Sequence, residues 1–303
     1  WDLARRSGGI QLLPPFVGSS NHGGRDQLYR TRLEALMGAV GFLERSTEEA
    51  VVLSDCDGIC SIDLAEVIRY HKEREAKLTL VTRRASETER LTRDDVRVRS
   101  DRDGRIFDVI SCVSDQSAEE ISTHITVVDR LYLLELLRDA DAHGYTDFYR
   151  DILARHATCG KFYRYFYEGT YLRISSLESY FEASMRLLEP KVRADLFRCE
   201  RPVLTKLRNS APTRYLKGAR VTGSYVADGC VIEGEVENSI LFRGVRVGRG
   251  TVVKNSILLQ DTSVGSGVSL SCVITDRNVT LRDGRCLSGH ETMPLFIGKG
   301  RMV

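Results

Sequence analysis

The chain has 303 residues, of which 42% are apolar and 28% charged, with a formal net charge of +2. That length exceeds what one hydrophobic core usually serves, so two domains are expected. The near-neutral balance excludes a general attraction to nucleic acid or acidic membranes, and no run of apolar residues is long enough to span a bilayer. Eight cysteines are scattered without a CxxC pair, which points to reduced thiols in a cytoplasmic protein and away from a disulfide framework or a zinc site. The chain opens at Trp1 with no signal peptide, in wording that reads as the middle of a loop, so a further N-terminal segment is expected.

Gly8 to Pro15 reads as a short strand stopped by two prolines. Gln27 to Arg45 reads as a helix, because Leu28, Leu33, Leu36, Val40 and Leu43 recur at helical spacing. Val51-Val52-Leu53 suits a buried parallel strand, and it ends in the loop Ser54-Asp55-Cys56-Asp57-Gly58. Open α/β sheets place their ligand chemistry at such strand ends. Asp63 has the position of an N-cap for a helix from Leu64 to Glu75, and Leu78 to Thr82 follows as a strand. Strand, helix and strand in that order predict a βαβ unit in a parallel sheet.

Further on, Asp103-Gly104-Arg105 reads as a turn between strands and Thr123 to Val128 as another strand. Asp129 to Ala142 is a predicted helix with Leu131, Leu134 and Leu137 on one side, followed by a second helix from Asp147 to Ala157. Lys161 to Arg173 alternates aromatic and polar residues, as an antiparallel edge strand does, and Ser176 to Leu188 reads as a helix. Residues 191–218 form the expected linker, between an α/β domain at 1–190 and a repeat domain at 219–303.

The repeat domain carries the clearest pattern. Ser224-Tyr225-Val226 returns, in kind and at a nearly constant interval, as Ser239-Ile240-Leu241, Ser256-Ile257-Leu258 and Ser271-Cys272-Val273. Between these clusters lie two copies of one turn, Val247-Gly248-Arg249-Gly250 and Val264-Gly265-Ser266-Gly267. A period this short, rich in Val, Ile and Gly, predicts a stacked parallel β-solenoid whose coils bury their branched side chains only against one another.

The wording from Asp228 to Gly244 resembles the left-handed β-helix of bacterial ADP-glucose pyrophosphorylases (glucose-1-phosphate adenylyltransferases). Trp1-Asp2-Leu3 with Gly8 to Pro15 resembles that family's early loop, and Arg201 to Thr205 resembles its linker. The resemblance runs over nearly the whole chain. It implies a Rossmann-like nucleotide-sugar transferase domain, a C-terminal left-handed parallel β-helix and a tetramer. The implied reaction joins ATP and glucose 1-phosphate into ADP-glucose and pyrophosphate, for glycogen synthesis.

At four positions the residues depart from the family's pattern. By spacing to Asp63, Asp57 takes the place of the catalytic aspartate, but one extra residue separates it from Ser54. Such an insertion re-aims a ligand by about 3.3 Å, and Mg²⁺ held between phosphates tolerates little misplacement. The family's second metal aspartate becomes Arg173, whose fixed cation repels Mg²⁺. Its sugar-phosphate lysine falls at Cys112, and its Gly-Thr in the early helix falls at Thr31-Arg32.

Those departures resemble the family's regulatory-type, non-catalytic subunit. The expectation is therefore a chain with a degenerate site at Asp57, no cofactor of its own and Mg²⁺ only in a catalytic paralogue. The paralogue would be its partner in a heterotetramer, with a sugar-phosphate effector and with neither nucleic acid nor membrane involved. The alternative is an active adenylyltransferase with a metal site rearranged around Asp57. A β-solenoid acyltransferase is disfavoured, since His290 lies beyond the recognisable coils. Plainer roles stand beside the sharp ones: Asp57 in an Asx-turn, Arg173 paired with an acidic side chain, His71 and His124 as structural residues. Cys56 and Cys60 lack a second pair for a metal, and Arg243, Arg246 and Arg249 read as a solvated basic face or as the effector's contacts.

Overall fold

A computed structural model describes residues 9–13, 29–85, 95–111, 120–158, 160–205 and 209–303. The readings placed on Trp1–Gly8, on Pro14 and Pro15, on Gln27 and Leu28, and on Cys112 lie outside these residues. By contacts the chain divides into two compact units. One comprises residues up to Asp55 with Ile62–Glu168, and the other Cys56–Ser61 with Gly169–Val303. The elements in chain order are α1 (Arg32–Gly38), α2 (Val40–Arg45), β1 (Ala50–Leu53), β2 (Gly58–Cys60), α3 (Leu64–Glu73), β3 (Leu78–Arg84), β4 (Val96–Ser100), β5 (Ile106–Ser111) and β6 (Glu120–Asp129). They continue with α4 (Arg130–His143), a π-helix at Phe148–Leu153 that runs into α5 (Ala154–His156), then β7 (Phe162–Phe166), β8 (Tyr171–Arg173), α6 (Leu177–Arg186) and α7 (Pro190–Leu196). After these the chain enters the solenoid.

The first unit is built on a mixed six-stranded sheet in the order β5-β4-β6-β3-β7, with β1 also paired to β6. A parallel βαβ unit is expected from the order of elements, and the strand directions agree with it. The adjacency does not, because β6 lies between β1 and β3 and runs antiparallel to both. The reason is burial: Ile121 to Val128 are eight consecutive buried residues, so β6 needs cover on both faces and takes the centre of the sheet. Among the described residues the only parallel pairing within this sheet is that of β3 with β7. The expected antiparallel edge strand is thus a parallel one, and it ends at Phe166, with β8 belonging to the other unit.

Asp63 caps α3 as the sequence predicts, its carboxylate accepting from the Ala65 and Glu66 backbone N–H groups at 3.0 and 3.3 Å. The Asp103–Arg105 turn is held by Asp101, whose side chain accepts from both those residues' N–H groups. The predicted helix to Arg45 divides at Ala39 into α1 and α2. On α4 the buried residues are Leu133, Leu134, Leu136, Leu137 and Ala140, whereas Leu131 is 65% exposed and lies outside the apolar stripe.

In the second unit three parallel sheets stack to form the solenoid. One coil contributes Arg220–Thr222, Tyr225–Val226 and Val231–Ile232, one strand to each sheet, and the next begins at Glu235. A strand at Arg214–Tyr215 already pairs with Val231–Ile232, so the stack begins before Ala219, inside the stretch expected as a linker. That stretch also contains most of α7, opened by Pro190 at a position where proline costs no hydrogen bond. Buried branched residues fill the interior, among them Ile232, Val236, Leu241, Val247, Val253, Leu258, Val264 and Leu270.

Tyr225, Ile240, Ile257 and Ile274 stand in one column, and the first of its three steps is shorter than the other two. The sequence spacing sets Ser271 against Ser256, but the register pairs Ile257 with Ile274, and the Ser256 hydroxyl accepts from Val273 N–H at 3.1 Å. The short step comes from one corner, Glu233–Gly234, that is two residues shorter than its neighbours. A side chain at Gly234 would sit 2.3 Å from the Thr251 carbonyl of the next coil, so only glycine fits beneath the longer corner.

The column of Tyr225 and Ile240 is apolar outside as well as inside. Ile257 and Ile274 face outward and are covered by Phe181 of α6, with Tyr180 and Met185 packed alongside. On its opposite side α6 carries Ala183 into a cluster with Leu172 of β8 and with Val192 and Leu196 of α7. Among the described residues no helix is long and apolar enough to cross a membrane.

Two measurements check this account of the packing. Truncating Ile257, which is fully buried between α6 and the sheet, to alanine is expected to cost about 2–5 kcal/mol by urea denaturation. Ile240→Ala, at a partly buried site of the same column, should cost less. The second concerns His71 on α3, 2% exposed, with its ring bonded to Thr79 at 2.8 Å and Asp129 at 3.2 Å. Burial holds its pKa below the ordinary value, outweighing the opposite pull of Asp129. The unfolded chain therefore binds the proton more readily, and the stability His71 contributes is present above about pH 6.5 and lost as the pH falls through that value. His71→Asn should flatten the fall in denaturation midpoint between about pH 7.5 and 5.5, and an unchanged slope would refute the assignment.

Candidate functional site

Asp57 and Arg173 are brought together by a two-stranded antiparallel ribbon. β2 pairs with β8 so that Gly58 stands opposite Arg173 and Cys60 opposite Tyr171. The Asp57 carbonyl accepts from Ile174 N–H at 2.8 Å, which locks the register one step beyond the ribbon. Gly58 leaves room for the Tyr171 ring, whose hydroxyl would lie 2.6 Å from any Cβ placed there. Across this ribbon the Arg173 Nε donates to Asp57 Oδ2 at 2.9 Å, with the two side chains 16% and 26% exposed. The second Asp57 oxygen is buried and has no hydrogen-bond partner.

A divalent cation does not fit this arrangement. Mg²⁺ is held by carboxylates and water in near-octahedral geometry, whereas here a guanidinium that cannot lose its charge lies within hydrogen-bond distance of the carboxylate. Among the described residues no group of three or more His, Cys, Asp or Glu side chains is placed to hold a metal ion.

A second polar cluster, in the first unit, gathers residues that the sequence pattern kept apart. β6 carries a bulge where its register with β3 shifts, and at that point His124 adopts a left-handed backbone with φ 62°. The His124 ring meets the Tyr149 hydroxyl at 3.0 Å and the Asp55 carboxylate at 3.5 Å. Arg32, the first residue of α1, donates to the Tyr149 hydroxyl and to the His124 carbonyl, and lies 3.5 Å from Asp55. Its guanidinium also sits 5.7 Å from the ring centres of Phe148 and Tyr149. Burial pushes the Tyr149 pKa up to about 12, so its hydroxyl stays protonated as donor and acceptor. The large side chain at the Thr31-Arg32 departure is therefore fully engaged inside its own unit. Position in the sequence marked Arg32, but its partners Tyr149 and His124 come from distant segments, beyond any local signal.

The other candidates have plainer places. Asp63 is an N-cap. Cys56 is exposed and Cys60 partly so, and neither is joined in a disulfide. Arg246 and Arg249 are exposed on the solenoid, with Arg249 only 3.8 Å from Glu233 in a loose ion pair. His290 lies in the loop between the strands Cys286–Ser288 and Leu295–Ile297, its ring bonded to Thr292 at 2.9 Å.

Comparison with known proteins agrees with both halves of this architecture. Residues 212–291 match a family described as GlmU-like, C-terminal hexapeptide. The chain is 30% identical over 301 residues to the glycogen biosynthesis protein GlgD of Bacillus subtilis, covering 99% of this chain and 76% of that protein. It is 30% identical over 258 residues to a glucose-1-phosphate adenylyltransferase of Thermotoga maritima, covering 84% of this chain. A third relative, the glucose-1-phosphate adenylyltransferase of Desulfitobacterium hafniense, is 29% identical over 285 residues, with 93% of this chain and 70% of the relative covered. The chain spans 60% of the length of the Thermotoga relative. With its α/β sheet, its parallel solenoid and its likeness to GlgD over nearly all of its residues, the chain belongs to the family of the glucose-1-phosphate adenylyltransferases and GlgD.

Proposed function

We propose that this chain is a regulatory-type, non-catalytic subunit of glucose-1-phosphate adenylyltransferase, acting on a catalytic paralogue in the synthesis of ADP-glucose for glycogen. The observation that carries the reading is the 2.9 Å pair between Arg173 and Asp57. It neutralises the one carboxylate that the sequence marks as catalytic, with a cation that neither titrates nor exchanges. The engaged Arg32 supports the same reading at a second position. On this reading Mg²⁺ and the chemistry belong to the paralogue, in a cytoplasmic hetero-oligomer that also answers to a sugar-phosphate effector. The chain acts by population shift, binding one conformation of the paralogue more tightly than another and so changing its turnover or its effector response. A second reading, an adenylyltransferase rearranged around Asp57, draws on the buried, unpartnered Asp57 oxygen, which offers a free lone pair.

Pyrophosphate release from ATP and glucose 1-phosphate separates the two. The complete subunit alone is expected to be inactive, and its mixture with the catalytic paralogue should differ from the paralogue alone in rate or effector response. Turnover by the subunit alone would overturn the proposal. Mn²⁺ titration followed by electron paramagnetic resonance gives an independent check. The wild-type chain should show no Mn²⁺ binding that Asp57→Asn removes, and Arg173→Asp, which exchanges the cation for a second carboxylate, should gain weak binding of about millimolar Kd. Wild-type Mn²⁺ binding that depends on Asp57 would favour the rearranged enzyme instead.

A further inference from the structure

A groove in the second unit is not used by the ion pair or by the reading above. It encloses about 570 Å³ between the C-terminal half of α6, the start of α7 and one corner of the solenoid. Its floor is apolar, formed by Phe181, Met185 and Leu188. Glu182 and Glu189 line one wall and Glu291 closes the far end, with Arg186 as the one cation in the lining, so three carboxylates face one guanidinium. Among the described residues none of these three carboxylates is held in a salt bridge, although the chain pairs many of its other surface acids.

The opposite wall is a column of solenoid corners, Gly223, Asn238 and Asn255, one per coil. The Asn238 amide donates to the Asn255 side-chain oxygen at 2.6 Å, which leaves the Asn238 side-chain oxygen and the Asn255 amide nitrogen outside that bond, on two residues that line the groove. Glu291 enters because the final coil is longer than the others. Val273 pairs with Leu295, whereas in the preceding step Ile257 pairs with Ile274, and the five extra residues form the loop between Ser288 and Leu295. From the corner at Gly223 to that loop the lining crosses four coil steps, roughly 19 Å at the usual strand spacing. That is the length of about six residues of extended chain.

We propose that this groove is a docking site for an extended, lysine- or arginine-bearing segment of a partner polypeptide. An apolar floor takes the aliphatic stems of such side chains while the carboxylates take their charged ends. The side-chain amides of an asparagine ladder bond main-chain N–H and C=O groups of a peptide lying along it. The excess of carboxylates repels phosphorylated ligands, so the site is separate from any sugar-phosphate effector site. Docking there does not depend on whether the chain is catalytic.

The test is fluorescence anisotropy on the purified chain with a labelled hexapeptide alternating lysine and leucine, beside the same peptide with glutamate for lysine. Saturable binding of the basic peptide is expected, weakening with added salt and lost by at least about tenfold in the triple variant Glu182→Gln, Glu189→Gln, Glu291→Gln. These substitutions are at exposed positions, and an unchanged thermal midpoint establishes that the variant is folded. Equal binding of the acidic peptide, binding indifferent to the triple variant, or no saturation by about 1 mM would each overturn the proposal. Competition by spermidine as strong as by the unlabelled peptide would also overturn it, since the groove would then be selecting a small amine.

Discussion

Everything in the second unit depends on coils that must superpose their backbones. A parallel solenoid satisfies its N–H and C=O groups only from the coil above and the coil below, so each residue of a coil is constrained by its counterparts in the neighbouring coils. The constraint is sharpest at the corners, where the chain turns through left-handed conformations in columns. One runs through Gly229, Gly244, Asp261 and Asn278, and another through Gly223, Asn238, Asn255 and Cys272. Apart from Cys272, these are residue types that enter that region at low cost. The Cys272 backbone is strained by the stack itself, since Cys272 N–H must still reach the Lys254 carbonyl of the preceding coil.

The same stack reaches the ion pair. The outward faces of Ile257 and Ile274 need cover, and Phe181 on α6 supplies it. Two positions along, Ala183 packs α6 onto Leu172, the neighbour of Arg173 on β8. β8 in turn holds β2 in register, with Asp57 next to Gly58. The carboxylate that the sequence assigns to an α/β active site is thus positioned by elements of the solenoid unit, and its fixed cation comes from that unit too. Asp57 and the coils are thus joined by a continuous run of contacts, from the sheet through α6 to the ribbon of β8 and β2.

What could be read in the sequence follows from how local its physical cause is. The solenoid, the Asp63 cap and the Asp103–Arg105 turn rest on interactions within a few residues or on a strict period, and all three appear as expected. Ser271 misleads because serine occupies two different columns: Ser271 stands beside Lys254 in one sheet, while the counterpart of Ser256 is Val273. The double apolar pattern Ile-Leu at 240 and 257 held a further signal, since a strand buried on both faces requires a covering helix. The insertion of β6 between β1 and β3 left no local trace, and neither did the partners of Arg32, because both are choices among distant segments settled by total burial.

Arg173 also accounts for the structural stability of the ribbon around Asp57. A half-buried carboxylate without a counter-charge is costly, and removing one partner of a buried pair typically destabilises a protein by about 3–5 kcal/mol, less where solvent reaches it, as it does here. In an enzyme that binds Mg²⁺ the metal supplies the compensating charge. A neutral residue at position 173 would leave Asp57 uncompensated and the ribbon of β2 and β8 weakened. Arginine restores the balance with a permanent charge, its Nε donating to one oxygen of the carboxylate. The substitution that ends metal binding, on the reading proposed here, is therefore the same one that keeps the ribbon and the α6 contact in place.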